Sequence, residues 1–409
     1  MHAHIVVEGY DQNPFIATKL IDSYAHLGPR NLNNASKVFD NLSQPDVFCC
    51  NVVIKGYANA GPFAEALKVY NAMRKLFDEI PQRDVVSWNS MISGYIVNGY
   101  VDDAIRVFYD MLRDEGVVGP DHATFVMVLP AFAQVADVHA GYWIHCYIVK
   151  TGMRLDSAVE SGLISLYSNC GYVSMARAIF DKVFDRNVVV WNAIIKCYWT
   201  HGLAQEALAL FQQLVESGLR PDGIVFLCLL SACSHAGLLE QGWHIFHTME
   251  THGVAKSEAH YACIVDLLGR AGDLEKAVQF IQSMPIQPGK NVYGALLGAC
   301  RIHKKIELAE LAAEKLFVLD PDNVGRYVIL SQMYEDSGRW QDAARVRKVV
   351  KEKEIKKPIG YSSVELESGH HKFGVNDETH LYTTQIFQIL LSLDRVMGKE
   401  TQTQYGAFL

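Results

Sequence analysis

A small-residue turn recurs along this chain at an interval too long for one helix and too short for a domain, and that interval constrains the fold more than any single residue does. It falls at Gly28, Gly61, Gly99, Ala136, Gly171, Gly202, Gly237, Gly272, Lys304 and Gly338, with separations of 33, 38, 37, 35, 31, 35, 35, 32 and 34 residues. Before the turn runs a segment such as Trp88-Asn89-Ser90-Met91-Ile92 or Trp191-Asn192-Ala193-Ile194-Ile195, with large apolar groups at helical spacing. After it comes a second helical pattern: a small residue, an aromatic or aliphatic at i+4, then Met or Leu at i+7. Ala35/Phe39/Leu42, Ala66/Tyr70/Met73, Ala104/Phe108/Met111, Ala207/Phe211/Leu214, Gly242/Phe246/Met249 and Ala277/Ile281/Met284 follow it. One such hairpin cannot bury its apolar face alone, so the units must stack. The expected fold is all-α, an α-solenoid of stacked helix-turn-helix repeats.

Composition agrees. The chain has 409 residues, half of them apolar, too many for a single core. No apolar run approaches the length of a membrane span, so no membrane role is expected. The start, Met1-His2-Ala3-His4, has neither the basic nor the apolar region of a secretory signal. Nine Cys, the nearest pairs being Cys49/Cys50 and Cys228/Cys233, support neither a disulfide framework nor a metal knuckle, and free buried thiols are expected. A net charge of -8 argues against coating nucleic acid by bulk electrostatics and leaves room for a local RNA-reading face.

Two repeat families fit this period. The tetratricopeptide signature places W-x2-L-G-x2-Y in the first helix. This chain instead repeats W-N-x-x-I at Trp88/Asn89 and Trp191/Asn192, and closes units with Pro45-Asp46, Arg83-Asp84, Pro120-Asp121, Arg186-Asn187 and Pro221-Asp222. On these residues it resembles plant pentatricopeptide repeat (PPR) proteins of the mixed-length, PLS class. His260 through Gly272 looks like the last short repeat of that class. Gly294 through Arg301 and Tyr327 through Ser331 resemble its E extension, and Gly369-His370-His371-Lys372-Phe373 with Asp377-Glu378-Thr379-His380 resembles its E+ segment.

The resemblance implies a right-handed superhelix, organised as follows. Residues 1–13 end a truncated long-type repeat. Repeats span 14–46, 47–84, 85–121, 122–156, 157–187, 188–222, 223–257 and 258–289. The E extension takes 290–357 and the E+-like segment 358–409. No Arg/Ser-rich transit peptide precedes the first repeat, so an incomplete N-terminus is expected. Unit 47–84 begins like one repeat type and ends like another, as an in-frame loss of intervening repeats would produce.

A solenoid that reads one base per repeat needs a short polar side chain on each first helix and another at each junction. The fifth residues of successive units are Thr18, Asn51, Asn89, Val126, Ser161, Asn192, Leu227 and Ala262. Five of these are small hydrogen-bonding types within apolar helices. The alternative is that they cap helix starts, and the junction acids are ordinary turn-and-cap residues on the same argument. The family's code, applied here, pairs Thr18 with Asp46 for G, Asn51 with Asp84 for U, and Asn89 with Asp121 for U. It pairs Ser161 with Asn187 for A and Asn192 with Asp222 for U. The implied ligand is 5′-G-U-U-N-A-U-N-N, with an edited C downstream. Its two 5′ bases are out of register with a natural target if unit 47–84 is a hybrid. Five pairs at about 1 kcal/mol each discriminate by roughly 10³ to 10⁴, so further contacts or partners are expected.

A second RNA candidate is the basic stretch Arg345 to Lys357. There Arg345, Arg347, Lys348 and Lys351 are candidate phosphate contacts, and the alternative is a solvated helix face. Family members with this tail are organellar C-to-U editing specificity factors. Deamination needs zinc bound by H-x-E and P-C-x-x-C, and none of the 16 His opens an H-x-E, nor is there a C-x-x-C. His370-His371, in an expected loop, is a poor metal site. The expectation is a monomeric, non-catalytic adaptor without cofactor that binds single-stranded organellar RNA. A DYW-type deaminase and other editing-complex proteins would act in trans. Mitochondrion is slightly favoured over chloroplast. A splicing, stability or translation factor, and a protein-interaction scaffold, are the competing expectations.

Overall fold

The computed structural model describes residues 13–26, 32–42, 52, 83–114, 119–153, 155–352, 361–366, 369–374, 382–386, 388–389 and 391–392. They fall in two compact units, Met1–His303 and Lys304–Leu409. In the first unit, helices follow in pairs: α1 (Pro14–His26) and α2 (Leu32–Asp40), α3 (Val85–Val97) and α4 (Val101–Arg113), α5 (His122–Val135) and α6 (Val138–Lys150). Next come α7 (Ser157–Asn169) and α8 (Val173–Lys182), α9 (Val188–Thr200) and α10 (Ala204–Glu216), α11 (Gly223–Ala236) and α12 (Leu239–Thr251), α13 (Glu258–Arg270) and α14 (Leu274–Gln282), then α15 (Lys290–Ile302). From α3 onward each first helix packs on the first helix of the next repeat, α3 on α5 and so on to α13 on α15. This is the stacking of a solenoid.

The turns explain the pairing. Gly99, Gly171, Gly202, Gly237, Gly272 and Gly338 all have left-handed φ, which glycine adopts without steric cost. Ala136 (φ 58°) and Lys304 (φ 55°) stand in the same register and accept the same conformation with a Cβ. Gly28 and Gly61 lie outside the described residues.

The i, i+4, i+7 pattern of the second helices is the core. Ala104, Phe108 and Met111 are buried, as are Ala207, Phe211 and Leu214, and Ile245, Phe246 and Met249. Each aromatic meets the fourth residue of the next first helix edge-on: Phe108 with Phe125, Phe180 with Trp191, Phe211 with Phe226 and Phe246 with Tyr261, at centroid distances of 6.2, 4.8, 5.5 and 5.3 Å. Such pairs add to the burial of the rings themselves. Small residues set the approach of neighbouring helices. A Cβ on Gly269 of α13 would lie 2.4 Å from Cβ of Ala299 on α15.

In the second unit, α16 (Ile306–Leu319), α17 (Val324–Asp336) and α18 (Trp340–Glu352) continue the helical pattern. Phe317 stacks on Tyr327 at 4.0 Å, and Tyr334 donates to Glu310 Oε1 at 2.8 Å. Two antiparallel strands follow, β1 (Tyr361–Leu366) and β2 (Gly369–Gly374), with Tyr361 opposite Gly374 and Leu366 opposite Gly369. His370 and His371 therefore lie in a strand rather than in the loop expected for them.

All seven described cysteines are free. Burial pushes the thiols of Cys228, Cys233 and Cys300 up to about 11. Cys146 is exposed, against the expectation of burial.

Candidate nucleic-acid interface

Every described first helix through α13 starts in one register, set by the junction residue before it. Asp84, Asp121, Asp156, Asn187 and Asp222 are N-caps with extended backbone, and each accepts hydrogen bonds from amides in the first turn. That satisfies donors the helix leaves unpaired. Counting from the cap, the fourth residue enters the core except at the half-buried Glu160 of α7, and the fifth is Thr18, Asn89, Val126, Ser161, Asn192, Leu227 or Ala262. The fifth residues are therefore not caps, and the alternative raised for them fails. For the junction residues the capping role holds.

Two of the expected pairs meet directly. Asn89 Nδ2 donates to Asp121 Oδ1 at 3.1 Å, and Asn192 Nδ2 donates to Asp222 Oδ2 at 3.0 Å. In the second pair the acid divides its oxygens: Oδ1 caps α11 through Ile224 and Val225, and Oδ2 holds the asparagine. Partial burial by itself pushes the Asp121 carboxyl up. Hydrogen bonds from the Thr124 hydroxyl and amide, from Asn89 and from its own backbone outweigh that and hold it below the usual aspartate range.

One further expected pair does not meet, and two others fall partly outside the described residues. The Ser161 hydroxyl donates to the Ala158 carbonyl at 3.0 Å, while Asn187 Oδ1 is spent on Val189 and Val190. Thr18 is buried in α1, with 3% exposed. Its expected partner Asp46 lies outside the described residues, as does Asn51. Asp84, expected to act with Asn51, binds the Ser87 amide and hydroxyl, both at 2.7 Å.

The structure adds residues that the sequence reading passed over. The second residue of four first helices is apolar and exposed: Phe15, Val86, Val189 and Ile224, at 52–70%. Each stands two residues after the cap, just ahead of the first buried positions and outside the buried stripe. That phase mismatch was the available signal. Flat or branched apolar groups at one register position offer stacking surfaces to bases. In the repeat whose fifth residue is Val126, junction Asp156 faces His122 instead, with Nε2 to Oδ1 at 2.9 Å. At the last two junctions, Ser257 and Gly289, the pattern changes again. His260 bridges Ser257 and the Gly223 carbonyl. Gly289 carries no capping side chain, and Glu258 caps α15 through the amides of Asn291 and Val292.

The candidate phosphate contacts are on α18. Arg345 pairs with Asp342 at 3.2 Å, Arg347 with Glu335, and Lys348 with Glu352 at 3.6 Å. All three cations and Lys351 are exposed. Exposed pairs of this kind contribute about 0–1 kcal/mol, so a phosphate can replace the carboxylate at small cost.

Comparison with known proteins places these features. Residues 303–365 match the E motif. Residues 83–134 and 186–235 match the PPR repeat family, and 48–76, 161–188, 224–254 and 259–286 match the PPR repeat. Among relatives from Arabidopsis thaliana, the pentatricopeptide repeat-containing protein At3g26782, mitochondrial, is 40% identical over 97% of this chain and 54% of its own length. CRR2, chloroplastic, is 33% identical over 98% of this chain and 55% of its own. The chain thus spans about half the length of the relatives it matches. The crystal structure of the pentatricopeptide repeat protein PPR10 in complex with an 18-nt psaJ RNA element superposes with a TM-score of 0.58, at 15% identity, over 86% of this chain and 57% of that one. That likeness is one of fold.

Proposed function

Because the chain belongs to the pentatricopeptide repeat family and carries its E motif, we propose that it is a sequence-specific, single-stranded RNA-binding adaptor. In this reading it selects a cytidine for C-to-U editing in an organellar transcript, with a DYW-type deaminase supplied in trans. The observation that carries the reading is the pair of Asn–Asp contacts, Asn89 with Asp121 and Asn192 with Asp222, each placed by one register across a repeat junction. An asparagine amide held by a carboxylate keeps one N–H toward the groove and presents it to an acceptor on a base edge. The exposed Val86, Val189 and Ile224 supply faces against which bases stack. Organellar location is supported by relatives named mitochondrial and chloroplastic, which do not favour one over the other.

The mechanism assigns this chain no chemical step. Its residues align a stretch of RNA, and its length and E motif set the distance to the edited base. The test adds purified chain and a DYW-type deaminase domain to an RNA carrying 5′-G-U-U-N-A-U-N-N followed by cytidine. Conversion of that cytidine only when both proteins are present is the expected result. Tight, selective binding without conversion would remove the editing role and leave the RNA-binding one, as a splicing, stability or translation factor requires. Absence of selective binding would leave the scaffold reading.

A further inference from the structure

The two Asn–Asp pairs are alike by residue type and unlike in geometry. Asn89 is held at both ends of its amide. Nδ2 donates to Asp121 Oδ1 at 3.1 Å, and Oδ1 lies 2.7 Å from the Thr124 hydroxyl, whose one proton is shared between it and Asp121 Oδ1, also at 2.7 Å. Thr124 is the third residue of α5, fully buried, and its oxygen also accepts from the Asp121 amide at 3.1 Å, which fixes where the hydroxyl sits. The third residue of α11 is Val225, equally buried, with no hydroxyl to offer. Asn192 is accordingly held at one end only. Its Nδ2 donates to Asp222 Oδ2 at 3.0 Å, while its Oδ1 is buried without a hydrogen-bond partner among the described residues.

We infer that Thr124 is a positioning residue that makes the nucleotide site of Asn89 strict for uracil, and that Val225 leaves the site of Asn192 permissive for both pyrimidines. The inference rests on the base-reading function proposed above for these asparagines. Uracil presents acceptors on both sides of its ring N–H, and cytosine presents an amino donor in place of one of them. An amide with its N–H turned to the groove suits uracil, and cytosine's amino group suits a turned amide that offers oxygen. At Asn89, turning the amide breaks two hydrogen bonds and sets the oxygen against a carboxylate. At Asn192 it likewise sets the oxygen against the Asp222 carboxylate, but no hydroxyl hydrogen bond is lost there. A side chain already fixed loses less freedom on binding and adapts less to the wrong base.

The test measures binding of the full chain, at one stated salt concentration, to 5′-G-U-U-N-A-U-N-N and to two versions with C at either the third or the sixth nucleotide. The wild type is expected to prefer U over C about two- to tenfold more strongly at the third nucleotide than at the sixth. Thr124→Val lowers the third-nucleotide ratio to that of the sixth, Thr124→Ser restores it, and Val225→Thr raises the ratio at the sixth. Thermal melting of each variant is recorded, so that lost folding is separated from lost selectivity. Equal ratios at both nucleotides in the wild type overturn the inference while base reading stands. So does a Thr124→Val variant that weakens all three RNAs alike, because a merely structural residue behaves that way. A wild type that also binds a version with A at the third and sixth nucleotides as well as the parent RNA overturns the base-reading function itself, and this inference with it.

Discussion

Asp121 shows how one side chain serves fold and site together. It caps α5 through the Thr124 amide at 2.8 Å and holds Asn89 through the same carboxylate oxygen. Asp121→Ala is expected to cost about 1–2 kcal/mol by urea denaturation near neutral pH. Since its folded carboxyl titrates below the ordinary 3.8, that contribution is fully present above 3.8 and is lost as the pH falls through the lower folded value. The difference from wild type should therefore shrink towards pH 3, and an unchanged difference would contradict the hydrogen-bonded carboxylate. Val189→Ser and Ile224→Ser make a separate prediction. Each should weaken RNA binding by about 1 kcal/mol for matched and scrambled sequences alike, because an apolar face has no base preference. At this scale the sequence disclosed the asparagines and junction acids, which stand out as polar groups against apolar helices. It did not disclose Thr124, whose hydroxyl works with a residue 35 positions upstream. Nor did it disclose Val86 or Val189, which in a Val-Val run read as core.

Helix ends and helix faces are where the repeat is most legible, because a turn of fixed hand leaves a small residue at a fixed place. Ala136 keeps that place with a Cβ, at φ 58°. Ala136→Gly is expected to stabilise the chain by about 1 kcal/mol, read as a higher denaturation midpoint, since only the strain of the left-handed conformation is removed. Gly269 is the opposite case. In a helix interior Gly→Ala ordinarily gains about 1 kcal/mol, but here the new methyl meets Ala299, and overpacking of this kind costs about 1–3 kcal/mol. Gly269→Ala should therefore lower stability, and a stabilised variant would show that α13 and α15 are not in close contact. The β1–β2 pair was not legible, because six-residue strands with two polar residues in the middle of the first give neither a clean alternation nor a helical period. The Glu258 cap on α15 was hidden for a different reason: the acid lies a full repeat away from the amides it binds.

Across the chain, a net charge of -8 makes non-specific attraction to RNA weak, so the proposed RNA binding requires that affinity come from aligned pairs, stacked faces and a few cations. The cations available on α18 are Arg345, Arg347, Lys348 and Lys351. Replacing all four with Gln should make the dependence of binding on salt shallower by up to about 3 in log–log slope, at roughly 0.7 per phosphate on a single strand. An unchanged slope would return that helix to the role of a solvated face. Base preference, on the same account, stays with the first helices of the repeats. The most direct test of that claim is Asn192→Ser combined with Asp222→Asn, measured against RNAs that differ only at the sixth nucleotide of 5′-G-U-U-N-A-U-N-N. The account predicts that the preference moves from U to A there while the other nucleotides are read as before. A preference that stays with U, or that never existed, would contradict it.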